Sequence, residues 1–427
     1  VTINENHPTT PQTWRVLLDA EFEAKLKIVK KDDETKKTVL LPNTEFKVYD
    51  LERLKYVEQA TTYPSTVIHK SFKTDNNGYL ILPKSLRPGS YRIEEVNAPE
   101  GYTLSDVYVT VEVDSNTAYQ IDELSGDIII EVEYENHPVK GQLSIIKQGE
   151  MLVSYDEDFH YEIRGLAGAQ FEVYAAENIY TEDHQRDAEG NRLMYYAENA
   201  LVATVVTDAE GHATITNLPL GKYYVKETNA PEGFALNTTP MDAEFAYVDQ
   251  NTAVIYDSVN CTDDRQKVAL TVEKQDASTG NVVEGAVFGI FNAEDIVNAD
   301  GEVIVSAGTM LQEMTSDAEG KAACTLDLPL GQYYVKEMKA PAGFVSSDEV
   351  LTFDASYQGQ DVQVVELSTV KKNEPTTVEV TKADITTGVE LEGAYLQVID
   401  KDGNIVDSWT SKSDDQIPCG WRNLCAS

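Results

Sequence analysis

The sequence predicts an all-β protein in which immunoglobulin-like β-sandwich modules follow one another in an elongated array. Its 427 residues are too many for one all-β domain and suit three or four modules of ordinary size. One string of residues recurs three times, which is the signature of a tandem repeat. The segments between the copies are short alternating strands interrupted by Gly, Asp, Asn and Pro, and no amphipathic helical pattern of useful length is present.

The recurring string consists of a tyrosine, a glutamate four residues later, and an Ala-Pro turn followed by glycine and an aromatic residue. A Ser/Thr-Asp-x-x-Gly turn precedes each copy, and an aromatic-containing strand precedes that turn. The strings are residues 91–102, 223–234 and 333–344; the turns are 74–78, 207–211 and 316–320; the strands are 44–49, 168–174 and 285–291, with a fourth at 393–399.

Each module opens with a strand that carries a lysine on its apolar face. Leu26, Ile28 and Lys30 share one face, because side chains alternate along a strand with a period of two. The lysines are roughly 110–130 residues apart, a usual length for a sandwich domain. The later strands of this kind end at Lys147, Lys274 and Lys382.

These signals divide the chain into five predicted segments. The motif Asn-His-Pro at Asn6 matches the motif at Asn136, so the first segment is expected to close an upstream module. The pattern is lost after Trp409, so the last segment is expected to be the truncated start of a module with an atypical tail. The segments are a closing strand and linker at 1–19, module 1 at 20–138, module 2 at 139–262 with an insertion at 176–198, module 3 at 263–375, and the truncated module at 376–427.

Composition and missing motifs exclude several function classes. The 73 acidic residues exceed the 34 basic ones, and a net charge of −39 repels nucleic acids and anionic membranes. No apolar run is long enough to insert into a membrane. The four cysteines form no ligand pattern, and no phosphate loop, nucleophile elbow or zinc motif is present, so we expect neither cofactor, metal nor enzyme. The segment 400–404 is interpreted as a hairpin turn rather than a calcium loop.

The strand lysines suggest one kind of chemistry. A lysine on a strand is ordinarily solvated, and a glutamate near it is ordinarily an ion-pair partner. Burying an ammonium, however, is energetically costly, so such a lysine needs either an ion-pair partner or a reaction that removes its charge. If Lys, Glu and Asn share a dry core, the neutral amine can attack the Asn side-chain carbonyl while the carboxylic acid relays protons and ammonia leaves. That reaction consumes its own nucleophile, so it is a single turnover of self-modification.

The string resembles the E-box of Gram-positive pilins, and the Lys-opening and Asn-closing strands resemble the B-type repeats of collagen adhesins and SpaA-type pilins. This resemblance spans roughly residues 20–410. It implies a prealbumin-like, inverse-immunoglobulin sandwich with an isopeptide bond between the first and last strands. The implied triads, with Lys and Asn as the crosslink and Glu as the proton relay, are Lys30/Glu95/Asn136, Lys147/Glu227/Asn260 and Lys274/Glu337/Asn373.

Two departures from this pattern affect the predictions. Module 2 has Gly149 and Thr262 where modules 1 and 3 have Asp and Pro, so whether it forms its bond is left open. Asn6 and Lys382 are half-triads, whose partners are expected outside this chain.

The predicted function is a structural stalk or spacer in a Gram-positive cell-surface adhesin or pilin, located in the extracellular cell wall. Its expected partners are the other modules of the same protein. The alternative is that the modules bind a host or matrix ligand directly, for which the polar insertion at 176–198 is the candidate segment, although a mobile or hairpin loop is the plainer interpretation. A polymerised pilin and a single wall-anchored chain are both compatible with the sequence.

Overall fold

The computed structural model describes residues 21–379, 382–411 and 418–420. All regular elements in these residues are β-strands, which confirms the all-β prediction. Within this part of the chain, no helix is long and apolar enough to cross a membrane.

Module 1 is a two-sheet sandwich. Its strands are β1 (Lys25–Asp32), β2 (Glu45–Asp50), β3 (Lys55–Tyr56), β4 (Gln59–Thr61), β5 (Val67–His69), β6 (Phe72–Lys73), β7 (Tyr79–Ile81), β8 (Gly89–Asn97), β9 (Val109–Val113), β10 (Gln120–Ile121) and β11 (Ile128–Asn136). One sheet has the order β10-β11-β1-β7, and the other has the order β3-β2-β8-β9 with β6 beside β2, while β4 and β5 form a separate hairpin.

Modules 2 and 3 repeat this plan. Module 2 contains β12 (Lys140–Tyr155), β13 (Phe159–Gly165), β14 (Gln170–Ala175), β15 (Ile179–Tyr180), β16 (Met194–Tyr196), β17 (Leu201–Val206), β18 (His212–Leu218), β19 (Gly221–Asn229), β20 (Met241–Phe245) and β21 (Val254–Asp263). Module 3 contains β22 (Lys267–Asp276), β23 (Val287–Asn292), β24 (Ile296–Val297), β25 (Val303–Val305), β26 (Met310–Thr315), β27 (Lys321–Ala323), β28 (Gly331–Lys339), β29 (Val350–Ala355) and β30 (Val364–Asn373). The remaining strands are β31 (Thr377–Glu379), β32 (Tyr395–Ile399), β33 (Ile405–Thr410) and β34 (Pro418–Gly420).

The first and last strands of each module pair in parallel: β1 with β11, β12 with β21, and β22 with β30. The other strand pairs described within the modules are antiparallel, so this pair is the exception. Because parallel strands run in the same direction, the chain enters a module at one end of the sheet and leaves it at the opposite end. Consecutive modules can therefore follow one another along the strand direction.

Each module has its own apolar core, formed by the inward-facing residues of both sheets. In module 1, Leu26 and Ile28 of β1 pack with Phe46, Ile93 and Tyr134. Alternate burial along the strands explains why a period-two sequence pattern produces this core. Equivalent residues form the cores of modules 2 and 3, namely Leu143, Phe171, Tyr223 and Val259, and Leu270, Phe288, Tyr333 and Val365.

The Asp-x-x-Gly turns hold the backbone of the first-strand lysines. In module 1 the Lys30 N–H donates to the Gly78 carbonyl at 2.8 Å. Gly78 has a φ of 73°, and a Cβ at this position would lie 2.0 Å from the Val39 carbonyl oxygen, so the turn requires glycine. The same bond joins Lys147 to Gly211 at 2.8 Å and Lys274 to Gly320 at 2.7 Å.

Residues 148–165, which follow Lys147, form a long hairpin from the end of β12 and β13. Phe159 on this hairpin is 6% exposed and packs in the core of module 3. The Tyr161 hydroxyl donates to the Asp327 carbonyl at 2.9 Å. The hairpin, which the sequence analysis assigned to module 2, is thus bonded to module 3.

The insertion at 176–198 folds into a hairpin of β15 and β16 and contacts module 1. The Asp183 side chain accepts a hydrogen bond from the Thr35 hydroxyl at 2.9 Å, and its carbonyl accepts one from the Leu40 N–H at 2.8 Å. Gln185 donates to the Thr38 carbonyl at 2.6 Å. Module 2 therefore contacts module 1 through the hairpin at 176–198 and module 3 through the hairpin at 148–165.

Candidate crosslinking sites in the module cores

The three first-strand lysines lie in the cores. The side chains of Lys30, Lys147 and Lys274 are 0% exposed, which is unusual for a cation unless it is paired. Each lies two residue pairs before the last pair of the parallel ladder between the first and last strands. Their partners are therefore set by the register of that ladder.

Module 1 brings all three predicted residues together. Lys30 Nζ donates to Asn136 Oδ1 and, at 2.9 Å, to the Tyr134 carbonyl. Asn136 Nδ2 donates to Glu95 Oε2 at 2.7 Å, and Glu95 Oε1 is 3.7 Å from Lys30 Nζ. The glutamate thus contacts both the amine and the amide nitrogen, which is the position of a group that transfers protons between them.

Burial shifts both ionisable groups of this site toward their neutral forms. Desolvation lowers the pKa of Lys30 to about 8, although Glu95 opposes the shift. Desolvation also raises the pKa of Glu95, with Lys30 opposing. A neutral amine is a nucleophile and a neutral carboxylic acid is a proton donor, so the core favours the protonation states that amide formation needs.

Module 2 does not bring Asn260 to Lys147, which corrects the sequence-based assignment. Asn260 is exposed and lies opposite Ile146 in the ladder. The residue on the core face is Asp263, which lies opposite Gly149 as Asn136 lies opposite Asp32. Because side chains alternate along β21, a residue three positions earlier faces the other way.

The Lys147 ammonium lies between two buried carboxylates. It contacts Asp263, and its Nζ is 2.8 Å from Glu227 Oε1. Desolvation raises the pKa of Glu227 to about 7 and also raises the pKa of Asp263. Burial lowers the pKa of Lys147, but the two carboxylates outweigh burial and keep it above its ordinary value. Module 2 thus has an acid where the other modules have an amide.

Cys261 also lies in this site, and the sequence analysis had assigned it no role. Its Sγ is 3.3 Å from Lys147 Nζ, and burial raises the pKa of the thiol to about 11. Glu227, Cys261 and Asp263 offer metal-ligand atoms within 4.8 Å of one another. Lys147 Nζ contacts all three groups, so the position of a cation is already filled.

Module 3 brings Glu337 and Asn373 together but turns the lysine elsewhere. Asn373 Nδ2 donates to both Glu337 oxygens, at 2.8 and 2.7 Å. Lys274 Nζ donates instead to the Gln275 carbonyl at 3.0 Å. Among the described residues, the buried Asn373 Oδ1 has no hydrogen-bond partner. Burial lowers the pKa of Lys274, and although Glu337 opposes the shift, nearby Lys371 adds to it.

Lys371 is a second buried lysine, which the sequence analysis did not single out. It lies opposite Lys274 in the ladder and is 1% exposed. Its Nζ contacts Glu349 at 2.5 Å and the Ser347 hydroxyl at 2.7 Å. Strand alternation was the signal for it, because residue 371 precedes Asn373 by two positions.

The departure at Gly149 also has a packing explanation. In module 1 the Tyr102 hydroxyl donates to the buried Asp32 at 2.7 Å. In module 2 the aromatic residue is Phe234, which has no hydroxyl, and a Cβ on Gly149 would lie 2.6 Å from its ring. Gly149 therefore leaves no room for a side chain against the Phe234 ring, whereas module 3 combines Asp276 with Phe344, so the aromatic residue alone does not decide between Asp and Gly. Of the half-triads, Lys382 is exposed and Asn6 lies outside the described residues.

Comparison with known proteins shows that the repeat matches a known family of domains. The family model described as "SpaA: Prealbumin-like fold domain" matches residues 24–125, 161–260 and 268–369. Similar solved structures include the Bacillus anthracis TIE protein, at 25% identity and a TM-score of 0.49. The alignment covers 82% of this chain and 50% of the TIE protein. This chain thus spans about half the length of the TIE protein.

Two similar structures are pilins. BcpA, the major pilin subunit of Bacillus cereus, is 15% identical with a TM-score of 0.30, and the alignment covers 83% of this chain and 100% of BcpA. The shaft pilin SpaA from Lactobacillus rhamnosus GG is 18% identical with a TM-score of 0.21, and 56% of this chain covers 99% of it. No curated protein matches the chain.

Proposed function

The chain belongs to the family of SpaA prealbumin-like fold domains, which are structural rather than catalytic, and from this premise we propose that it is a load-bearing stalk of a Gram-positive surface protein or pilus. Each module core closes one intramolecular isopeptide bond. The pairs are Lys30–Asn136, Lys147–Asp263 and Lys274–Asn373, with Glu95, Glu227 and Glu337 as proton relays. The observation that carries the proposal is the contact between Lys30 Nζ and Asn136 Oδ1 in a core that water does not reach.

The reaction differs between the modules in its leaving group. In modules 1 and 3 the Lys Nζ attacks Cγ of Asn, the Nζ–Cγ bond forms, the Cγ–Nδ2 bond breaks, and ammonia leaves. In module 2 Lys147 attacks Cγ of Asp263, a C–O bond breaks, and water leaves. In each case the glutamate takes a proton from the attacking nitrogen and delivers one to the leaving group, so it ends in the state in which it began.

The position of the bond determines its mechanical effect. Tension enters module 1 at the start of β1 and leaves at the end of β11, because the two strands are parallel. A bond from Lys30 to Asn136 carries the load across the ladder, so residues 31–135 are outside the force path. Closing a loop of about a hundred residues also stabilises the fold by about 4–5 kcal/mol on the chain-entropy estimate for disulfides.

Force spectroscopy on the whole chain, held between handles at its two ends, tests this proposal. We expect the three modules to show no stepwise lengthening, because each bond leaves too little chain to release. Extension steps that correspond to the release of a whole module would overturn the stalk mechanism. The chain with Lys30→Ala serves as the positive control, since only module 1 should then unfold and extend.

Direct binding of a host or matrix ligand is not proposed. The candidate segment was the insertion at 176–198, and its Thr181, Glu182 and Asp183 are buried. Asp183 and Gln185 are hydrogen-bonded to module 1. These contacts support a role of the insertion at the junction between modules 1 and 2.

A further inference from the structure

The Ala-Pro turn of the recurring string contacts the next module at the first junction. The Ala98 N–H donates to Gln250 Oε1 at 2.8 Å. The Leu104 N–H donates to the backbone carbonyl of the same glutamine at 2.7 Å. Ala98 is 5% exposed, so its N–H would be desolvated without a partner if the glutamine were lost. One residue of module 2 thus satisfies two backbone donors of module 1.

The second junction repeats this arrangement. The Ala230 N–H donates to Gln360 Oε1 at 2.9 Å, and the Leu236 N–H donates to the Gln360 carbonyl at 2.9 Å. Both glutamines lie in the loop before the last strand of their module, Gln250 before β21 and Gln360 before β30. The surroundings differ in the long hairpin, which contacts module 3 at the second junction, while an inserted hairpin contacts the preceding module at both junctions, β15–β16 at the first and β24–β25 at the second. Recurrence in two different settings indicates that the contact belongs to the repeat itself.

We propose that the Ala-Pro turn is a socket that receives a glutamine from the following module and fixes the orientation of that module. Because one glutamine supplies two acceptors, a side-chain oxygen and a backbone oxygen, the contact fixes both the position and the orientation of the following module. This inference does not depend on the isopeptide bonds, because all the atoms involved lie outside the cores. It gives the Ala-Pro element of the string a role that its turn geometry alone does not explain.

The proposal defines an interaction surface at the end of module 3. The turn at Ala340 and Pro341 has the same sequence position as the two sockets, and Ser346 occupies the position of Leu104 and Leu236. Beyond this turn the chain contains β32, which is the fourth copy of the aromatic-containing strand found in each module. The occupant is therefore the loop before the last strand of a following module, with a glutamine as its contact residue.

Module 1 differs at the corresponding loop. The loop before its last strand is residues 122–127, between β10 and β11, and it contains no glutamine. Module 1 therefore does not present this contact to an upstream module.

Amide exchange in the full chain labelled with ¹⁵N-alanine tests the socket. In Gln250→Ala we expect the Ala98 amide to exchange about fivefold faster or more, with Ala230 unchanged, and in Gln360→Ala the reverse. Gln250→Glu keeps an acceptor oxygen and should restore protection of Ala98. Gln358→Ala removes an exposed side chain from the same loop as Gln360 and is the matched control.

Three results would overturn the proposal. The first is unchanged exchange of Ala98 in Gln250→Ala. The second is equal acceleration of Ala230 in Gln358→Ala and Gln360→Ala. The third is an acceleration of Ala98 exchange in Gln250→Glu equal to that in Gln250→Ala, because an acceptor oxygen at residue 250 would then not be what protects the amide.

Discussion

Lys147 faces Asp263, not Asn260, in the core of module 2. The two residues are on adjacent parallel strands, both side chains are buried, and Glu227 contacts the same ammonium. Asp263 occupies the ladder position that Asn136 and Asn373 occupy in the other modules. The three cores are therefore variants of one site, and in the proposed reaction the leaving group is ammonia in modules 1 and 3 and water in module 2.

The assignment in module 2 predicts which substitutions remove its crosslink. Asp263→Ala should abolish the link between Lys147 and the last strand, because β21 then offers no carboxyl or amide carbon to the amine. Asp263→Asn should retain it and release ammonia instead of water. Asn260→Ala is the matched control and should have no effect, since Asn260 is exposed. Tandem mass spectrometry of proteolytic fragments reads the linked pair; loss of the link in Asn260→Ala would refute the assignment.

Glu95 is predicted to be required for the bond in module 1. Glu95→Gln should leave Lys30 and Asn136 unlinked, because the amide cannot relay protons, while modules 2 and 3 stay crosslinked. The unlinked module should lose about 4–5 kcal/mol of stability. Fragment mass spectrometry and denaturant unfolding measure the two effects. Glu94→Gln is the control, because Glu94 bonds Arg92 and Tyr56 instead of the core groups; equal loss in both variants would contradict the relay role.

The pH dependence of the free energy of unfolding should reveal whether the Lys30 side chain is a free amine or an amide bonded to Asn136. Its pKa is about 8 in the folded core against 10.5 as an ordinary lysine, and burial is the main cause. The unfolded chain thus binds more protons between these values, so stability should rise with pH from about 8 to 10.5, by up to about 1.4 kcal/mol per pH unit. An Asn136→Ala chain should show this rise.

The crosslinked chain provides the contrast for that experiment. Its Lys30 nitrogen is an amide and does not titrate, so module 1 should lack the rise between pH 8 and 10.5. Denaturant unfolding of both chains across this range measures the difference. The same slope in both would mean that Lys30 is a free amine in each.

The long hairpin should stabilise module 3 rather than module 2. Phe159→Ala removes a ring that is 6% exposed in the core of module 3, and we expect a loss of about 3–5 kcal/mol there. Ile163→Ala, at a site 54% exposed on the same hairpin, should cost little. Calorimetry with hydrogen exchange of module 3 strands identifies the affected module. Loss confined to module 2 strands would contradict the packing.

The sequence predicted the fold class because period-two patterns and turn residues recur at each copy. It also placed the lysines and glutamates on inward faces, since both lie on strands with clear alternation. It misassigned the partner of Lys147 because the Asn-x-Pro motif, absent from module 2, served as the marker. Counting by two from Val259 through Cys261 leads to Asp263, so the signal was present in the sequence.

The contacts between modules were not predictable in the same way. Phe159 joins the core of module 3 although it precedes that module by a hundred residues or more, and Gln250 reaches back to Ala98. Such contacts depend on how one module is placed relative to the next. The local periodicity of the sequence carries no information about that placement. The insertion was recognised as an addition, but its docking on module 1 depends on surfaces that only the folded chain brings together.

The central claim is that all three cores form an amide bond, and the intact mass of the denatured chain tests it most directly. The predicted mass is that of the sequence less two ammonia molecules and one water. A mass equal to that of the sequence would contradict the claim, and a loss of three ammonia molecules would contradict the pairing of Lys147 with Asp263.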